Sequence, residues 1–135
     1  MPADLIIREL QDSTDERGAS FSVPLEILRH LEAVRDVHIA VVRPGRTRGN
    51  HYHARHGEII TVVYQDDWSL HWDTGAGTAI QNRPFTGRGA VSIVIPLHWS
   101  HAVKNDGSID LWLFNASDLA FEPGTHDAVA RAVTP

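Results

Sequence analysis

Gly45-Arg46-Thr47-Arg48-Gly49-Asn50-His51-Tyr52-His53-Ala54-Arg55-His56-Gly57-Glu58 is the stretch on which the fold turns. Successive side chains on a strand point to opposite faces, so His51 and His53 project two imidazoles into one space. Glu58 follows after a short gap holding Gly57, enough for a turn into the next strand, from which its carboxylate approaches the same space. The 58–64 run EIITVVY is rich in β-branched residues and reads as that strand.

Forty-three residues beyond Glu58 lies Pro96-Leu97-His98-Trp99-Ser100-His101-Ala102-Val103-Lys104-Asn105. His101 falls on a strand whose inward face is expected to carry Trp99, His101 and Val103. His51, His53, Glu58 and His101 then form a mixed nitrogen and oxygen donor set suited to one divalent ion, whether Zn, Mn, Fe or Ni. Nine histidines in 135 residues give a chance His-x-His about 0.6 times; requiring a glutamate five residues on lowers this to roughly 0.03. The spacing therefore carries weight that the histidine count does not.

Working outward, short strand-like runs separated by Gly, Pro, Asn and Asp fill most of the chain. Strands are expected at 5–9, 19–23, 37–42, 58–64, 68–72, 78–85, 90–95, 98–104 and 109–114. In the third of these, Val37, Ile39 and Val41 alternate with His38, Ala40 and Val42. The one helical segment is 24–33, opened by Pro24 and carrying Leu25, Leu28 and Leu31 at helical spacing. The tail 115–135 is less regular and is expected to cover a barrel end. The class is all-β, with one short N-terminal helix, and the length fits one domain with a barrel core at about 36–115. Cysteine is absent, which excludes disulfides, thiolate metal sites and a cysteine nucleophile. The net charge of -5 argues against nucleic-acid binding. No apolar run is long enough to span a bilayer as a helix, and the first residues do not read as a secretory signal. A cytoplasmic protein is the expectation.

These residues resemble the two cupin motifs. Gly45, His51, His53 and Glu58 match the first, with Gln65 at its final glycine; Pro96, His101 and Asn105 match the second, with His98 at its inner glycine. The resemblance implies a double-stranded β-helix (jelly-roll) barrel with the metal held by His51, His53, Glu58 and His101. Arg48-Gly49-Asn50-His51-Tyr52-His53 is similar to a segment of the cupin domains of capsular-polysaccharide epimerases, and Asp15-Glu16-Arg17-Gly18 to a stretch near the start of deoxysugar epimerases and ketoisomerases. That narrower resemblance implies action on a nucleotide-linked keto sugar, and the cupin resemblance as a whole implies a homodimer paired through barrel faces or exchanged N-terminal strands. The capsular enzymes carry lysine where this chain has His56.

Further candidates surround the motif. Arg46, Arg48 and Arg55, with Arg43, offer guanidinium forks for a diphosphate, and Trp99 a pocket wall. His56 and Tyr64 are the candidate proton carriers, Tyr64 because it shares the inward face of its strand with Glu58. Three functions are compatible with this set: a sugar-nucleotide epimerase or isomerase working by proton abstraction beside a carbonyl, a non-haem metal oxygenase, and a non-catalytic cupin that binds a small ligand or metal.

Overall fold

A computed structural model describes residues 2–120 and 127–135. The elements run β1 (Ile6–Glu9), α1 (Leu25–Leu28), β2 (Asp36–Val42), β3 (Thr47–His53), β4 (Glu58–Tyr64), β5 (Trp68–Trp72), β6 (Gln81–Phe85), β7 (Gly89–Ile95), β8 (His101–Asn105), β9 (Leu111–Ser117) and β10 (Ala128–Ala130). They form two five-stranded sheets, ordered β1-β7-β4-β9-β2 and β10-β3-β8-β5-β6, with every pairing antiparallel. The strand order is that of a jelly-roll barrel, the expected all-β class. Pro84 sits on β6, an edge strand, where a missing N–H costs the ladder little.

Inward side chains at every second position fill one half of the barrel with apolar groups. Val62, Trp68, Leu70, Val91, Ile93 and Val103 are almost wholly shielded from water, and Trp68 stacks on Phe85 at 4.2 Å. This half is a packed core, and the polar residues collect in the other half.

Two sequence expectations about the N-terminal region differ from what is seen. Residues 19–23 join no sheet; the local pairing is a single bridge between Asp15 and Gly18. The segment 24–33 forms one helical turn and then tightens, with His30 and Leu31 donating to carbonyls three residues back. Leu25 is 58% exposed, while Ile27 and Leu31 pack against Ile59 and Val94 on the outside of the first sheet. The segment is short because it caps a sheet face with those two side chains rather than spanning it.

Backbone geometry at the motif is specific. A β-bulge separates Gly49 from His51 in the β3–β8 ladder. Gly49 has φ +109, and a Cβ there would lie 2.5 Å from the His101 carbonyl oxygen and 2.9 Å from Ala102 Cα. Asn50 follows at φ 58. His98, at the motif's inner glycine, has φ 67, so it adopts the left-handed conformation that glycine takes without steric cost. Asn105, the motif asparagine, is fully buried and donates to the carbonyls of Val42 (2.8 Å) and Ile109 (2.7 Å), tying β8 to the end of β2 in the other sheet and to the segment before β9. We expect Gly49→Ala to cost more than about 2 kcal/mol, since it adds left-handed strain to a backbone clash. Urea unfolding checks this; an unchanged midpoint would contradict the close approach.

Candidate functional site

The bulge and the antiparallel pairing of β3 with β8 bring His51 directly opposite His101. Their rings meet edge to face with centroids 5.1 Å apart, and His53 lies 4.9 Å from His51. Glu58, at the start of β4, enters from the facing sheet: its Oε2 is 2.7 Å from His53 Nε2 and 3.9 Å from His101 Nε2. One donor atom from each of the four lies within 4.8 Å of every other. Donors bound to a common ion at about 2.0–2.2 Å stand some 3–4 Å apart, so the set needs only a small contraction to hold one.

His101 supplies the test of fit. Its Nδ1 faces the Trp99 carbonyl at 3.2 Å, which assigns the proton to that nitrogen. Nε2 is then a bare lone pair, buried and without a hydrogen-bond partner. A buried acceptor left unmatched costs about 1–3 kcal/mol, and a metal ion removes that cost. Burial together with the neighbouring rings of His101 and His53 pushes His51 down to about 4, so its imidazole is neutral at pH 7. His101 is lowered as well, mainly by burial. Burial opposes charge on both His53 and Glu58. Their mutual hydrogen bond overcomes it, so His53 is raised and Glu58 is held well below the ordinary carboxylate range. The four side chains are thus two neutral imidazoles and one proton-bridged imidazole–carboxylate pair.

Asp127 is the site residue that the sequence did not disclose. Its Oδ1 is 3.1 Å from His53 Nδ1, and its Oδ2 accepts from the backbone N–H of Arg55 (2.8 Å) and of His56 (3.3 Å). His56 Nδ1 also lies 2.5 Å from Oδ1, at an angle outside that of a hydrogen bond. The tail that carries Asp127 is pinned along its length. β10 pairs with β3, Arg131 forms a two-pronged ion pair with Asp73 (2.7 and 2.8 Å), and Asn50 Oδ1 accepts from the N–H of Val133 and Thr134. The left-handed Asn50 and the conformation of His98 both serve this docking, since Arg131 also donates to the His98 carbonyl. Of the tail 115–135, residues 121–126 lie outside the described residues.

A carboxylate on the far nitrogen of a ligating histidine fixes its orientation and raises its basicity; losing such a partner typically costs about 10–100-fold in metal affinity. Asp127→Asn is expected to weaken divalent-ion binding by that factor in a chelator competition titration. Wild-type affinity in the variant would show that Asp127 merely anchors the tail.

The cluster opens into two adjoining cavities of about 420 and 280 Å³. Both are lined by His38, His51, Glu58 and Asn115. Arg48 borders the larger one, its Nε donating to the Val41 carbonyl at 2.9 Å. It also borders a neighbouring surface groove with Arg43, Arg46 and Trp112, which shares Thr47 and Arg48 with the cavity. Arg46 lines that groove and not the cavity. Arg55 is exposed on the turn before Glu58.

Two candidates lie elsewhere. Tyr64 is inward-facing but ends β4, six residues from Glu58 and so roughly 20 Å along the strand; it packs on Trp68 and Phe85. Sharing a strand face placed it inside the barrel but at the wrong end for proton transfer. The Trp99 ring borders a separate groove with Leu5, Ile7 and Trp72, because β8 begins only at His101 and residue 99 lies before the alternation starts. Its carbonyl, not its ring, serves the site.

The family model for the polysaccharide biosynthesis C-terminal domain matches residues 13–129. The chain belongs to that family. No curated protein sequence matches it. Among solved structures, this family member is similar to the capsular polysaccharide assembling protein CapF from Staphylococcus aureus, with TM-score 0.66 and 21% identity over 92% of this chain and 33% of that one. The chain thus spans about a third of the CapF chain. A 3,4-ketoisomerase from Helicobacter canadensis matches at TM-score 0.69 and 13% identity, over 93% and 90% of the two chains. The dTDP-6-deoxy-D-glucose-3,5-epimerase RmlC from Legionella pneumophila, in complex with dTDP-4-keto-L-rhamnose, matches at 0.70 and 18%, over 93% and 71%. The fold is the cupin-like jelly roll that these share with the chain. No helix among the described residues is long and apolar enough to cross a membrane.

Proposed function

We propose that this chain is a metal-dependent cupin acting on a nucleotide-linked keto-deoxysugar, as an epimerase or isomerase that abstracts a proton beside a carbonyl, in surface polysaccharide or deoxysugar biosynthesis. The observation that carries the reading is the buried, unpartnered Nε2 of His101 facing His51, His53 and Glu58 at the floor of a cavity of about 420 Å³. That volume lies within the usual range for small-molecule sites, about 300–1,000 Å³. Family membership and the names of the structural neighbours support the substrate class: a capsular polysaccharide assembling protein, a 3,4-ketoisomerase and a dTDP-sugar epimerase.

His51, His53, Glu58 and His101 would hold the ion, which when bound supplies positive charge to a carbonyl oxygen of the substrate. The protein's own groups do the rest. Asp127 keeps the His53 ring in place. The barrel wall restricts water at the reacting carbon. Arg48, with its stem fixed on Val41, offers its guanidinium to the diphosphate at the cavity mouth, and Arg43 and Arg46 continue that positive edge along the groove. The direct test is NMR of a nucleotide-linked 4-keto-6-deoxyhexose incubated with metal-replete protein in D₂O. Deuterium is expected at a carbon adjoining the carbonyl. If no exchange occurs with any of a panel of such sugars, and one binds tightly without turnover, the chain is a ligand-binding cupin instead.

We also propose that two copies pair through the outer face of the first sheet. Val37, Ile39, Trp112 and Phe114 stand exposed there on adjacent strands, at 66, 56, 48 and 39%, beside the part of the face that α1 covers. A two-fold pair is the commonest closed assembly. Light scattering at micromolar concentration is expected to give the dimer mass, and a monomer mass would refute the pairing.

A further inference from the structure

The wall of the cavity facing the three cluster histidines is built by β2 and β9, in the sheet that also carries Glu58, and two polar residues face inward from it. Asn115 pairs in register with Ile60 of β4 on one side and with His38 of β2 on the other. Both His38 and Asn115 line each of the two cavities around the cluster. The Oδ1 of Asn115 is buried and has no hydrogen-bond partner. His38 has no ion pair or hydrogen bond of its own among the described residues, in contrast to His56, which lies against Asp127.

Register fixes the separation of this wall from the cluster. His38 is two strand spacings from β4, roughly 10 Å across the sheet, and one side-chain pair further along than Glu58. Side chains from both places project into the same cavity of about 420 Å³, which has room for a flat carbonyl group between them. An imidazole is the side chain whose ordinary titration range suits proton transfer near neutrality. A buried amide with an unmatched oxygen is a site for a substrate hydroxyl or N–H, because occupancy removes its desolvation cost.

We propose that His38 is the catalytic base of the keto-sugar reaction and that Asn115 orients the sugar beside it; this rests on the function proposed above. The C–H bond adjoining the carbonyl breaks, its proton passes to a ring nitrogen of His38, and its electron pair moves onto the carbonyl oxygen. A solvent-exchanged proton returning to the opposite face of that carbon, as the oxygen's electron pair re-forms the carbonyl, gives the epimer. Returning instead to the former carbonyl carbon, as the neighbouring hydroxyl passes its proton to the enolate oxygen and becomes the carbonyl, it gives the isomer. No oxidant or reductant enters. His56 then belongs to the turn that Asp127 braces, and the base stands across the cavity from the histidines on β3 and β8.

The experiment compares wild type, His38→Gln, Asn115→Ala and His56→Gln in the D₂O assay, with metal content by elemental analysis and affinity for dTDP by calorimetry. His38→Gln is expected to keep its metal and its dTDP affinity and to lose about 100-fold or more in exchange rate, the usual worth of a positioned base. Imidazole added to His38→Gly restores part of that loss. Asn115→Ala loses about tenfold, mostly through KM, as expected for one hydrogen bond to the substrate. Exchange retained in His38→Gln but abolished in His56→Gln, with metal intact in both, overturns this assignment alone. Absence of exchange by metal-replete wild-type protein overturns the proposed function and this assignment with it.

Discussion

Replacing His51 and His101 together with alanine is expected to empty the protein of its divalent ion, from about one per chain to a trace. The two residues face each other across the β3–β8 ladder and furnish two of the four donors. What remains is His53 and Glu58, which are already paired with each other at 2.7 Å. Loss of a direct donor exceeds the roughly 10–100-fold cost of losing an outer partner, and here two are lost at once. The fold should survive, because the apolar half of the barrel around Trp68, Leu70 and Ile93 is untouched. Circular dichroism on the same samples separates loss of metal from loss of structure. A related dependence follows from the proton shared by His53 and Glu58. Metal must displace it, and the His53 pKa is raised, so affinity in wild-type protein should fall as pH drops through that raised value. Unchanged occupancy in a folded double variant would refute the four-donor assignment.

The four-residue cluster was legible because it rests on two short motifs, one holding His51, His53 and Glu58 and the other His101. The i, i+2 spacing of His51 and His53 and the turn at Gly57 are short-range patterns, and β4 declares itself by its β-branched residues. Asp127 was not legible. It lies 74 residues from His53, and its approach depends on β10 pairing with β3, which nothing in the irregular tail signals. β2 shows a second kind of failure. Its apolar residues Val37 and Ile39 suggest a core-facing stripe, yet they are exposed on the outer face, and His38 between them, also exposed, lines the open cavity. The alternation was visible, but its polarity is reversed at this end of the barrel because the interior there is a polar cleft. Tyr64 was misplaced for the opposite reason: alternation fixes which face a residue takes and says nothing about its depth along the strand.

The strongest dependence should appear in proton exchange. If the ion held by His51, His53, Glu58 and His101 supports abstraction beside a carbonyl, His51→Ala should exchange about 100-fold or more slowly than wild type, since removal of electrostatic stabilisation at a developing oxyanion costs on that order. Arg48→Ala should behave differently. A diphosphate contact acts on ground and transition states alike, so it should raise KM and leave kcat nearly unchanged. This contrast separates chemistry at the cluster from binding at the cavity mouth. The most direct measurement takes one preparation of wild-type protein, strips it with chelator, and follows deuterium entering a nucleotide-linked 4-keto-6-deoxyhexose by NMR before and after a stoichiometric divalent ion is restored. The account predicts negligible exchange in the stripped protein and full recovery on restoring the ion, with no recovery in the His51→Ala, His101→Ala double variant. Equal exchange rates in stripped and replete protein would contradict it.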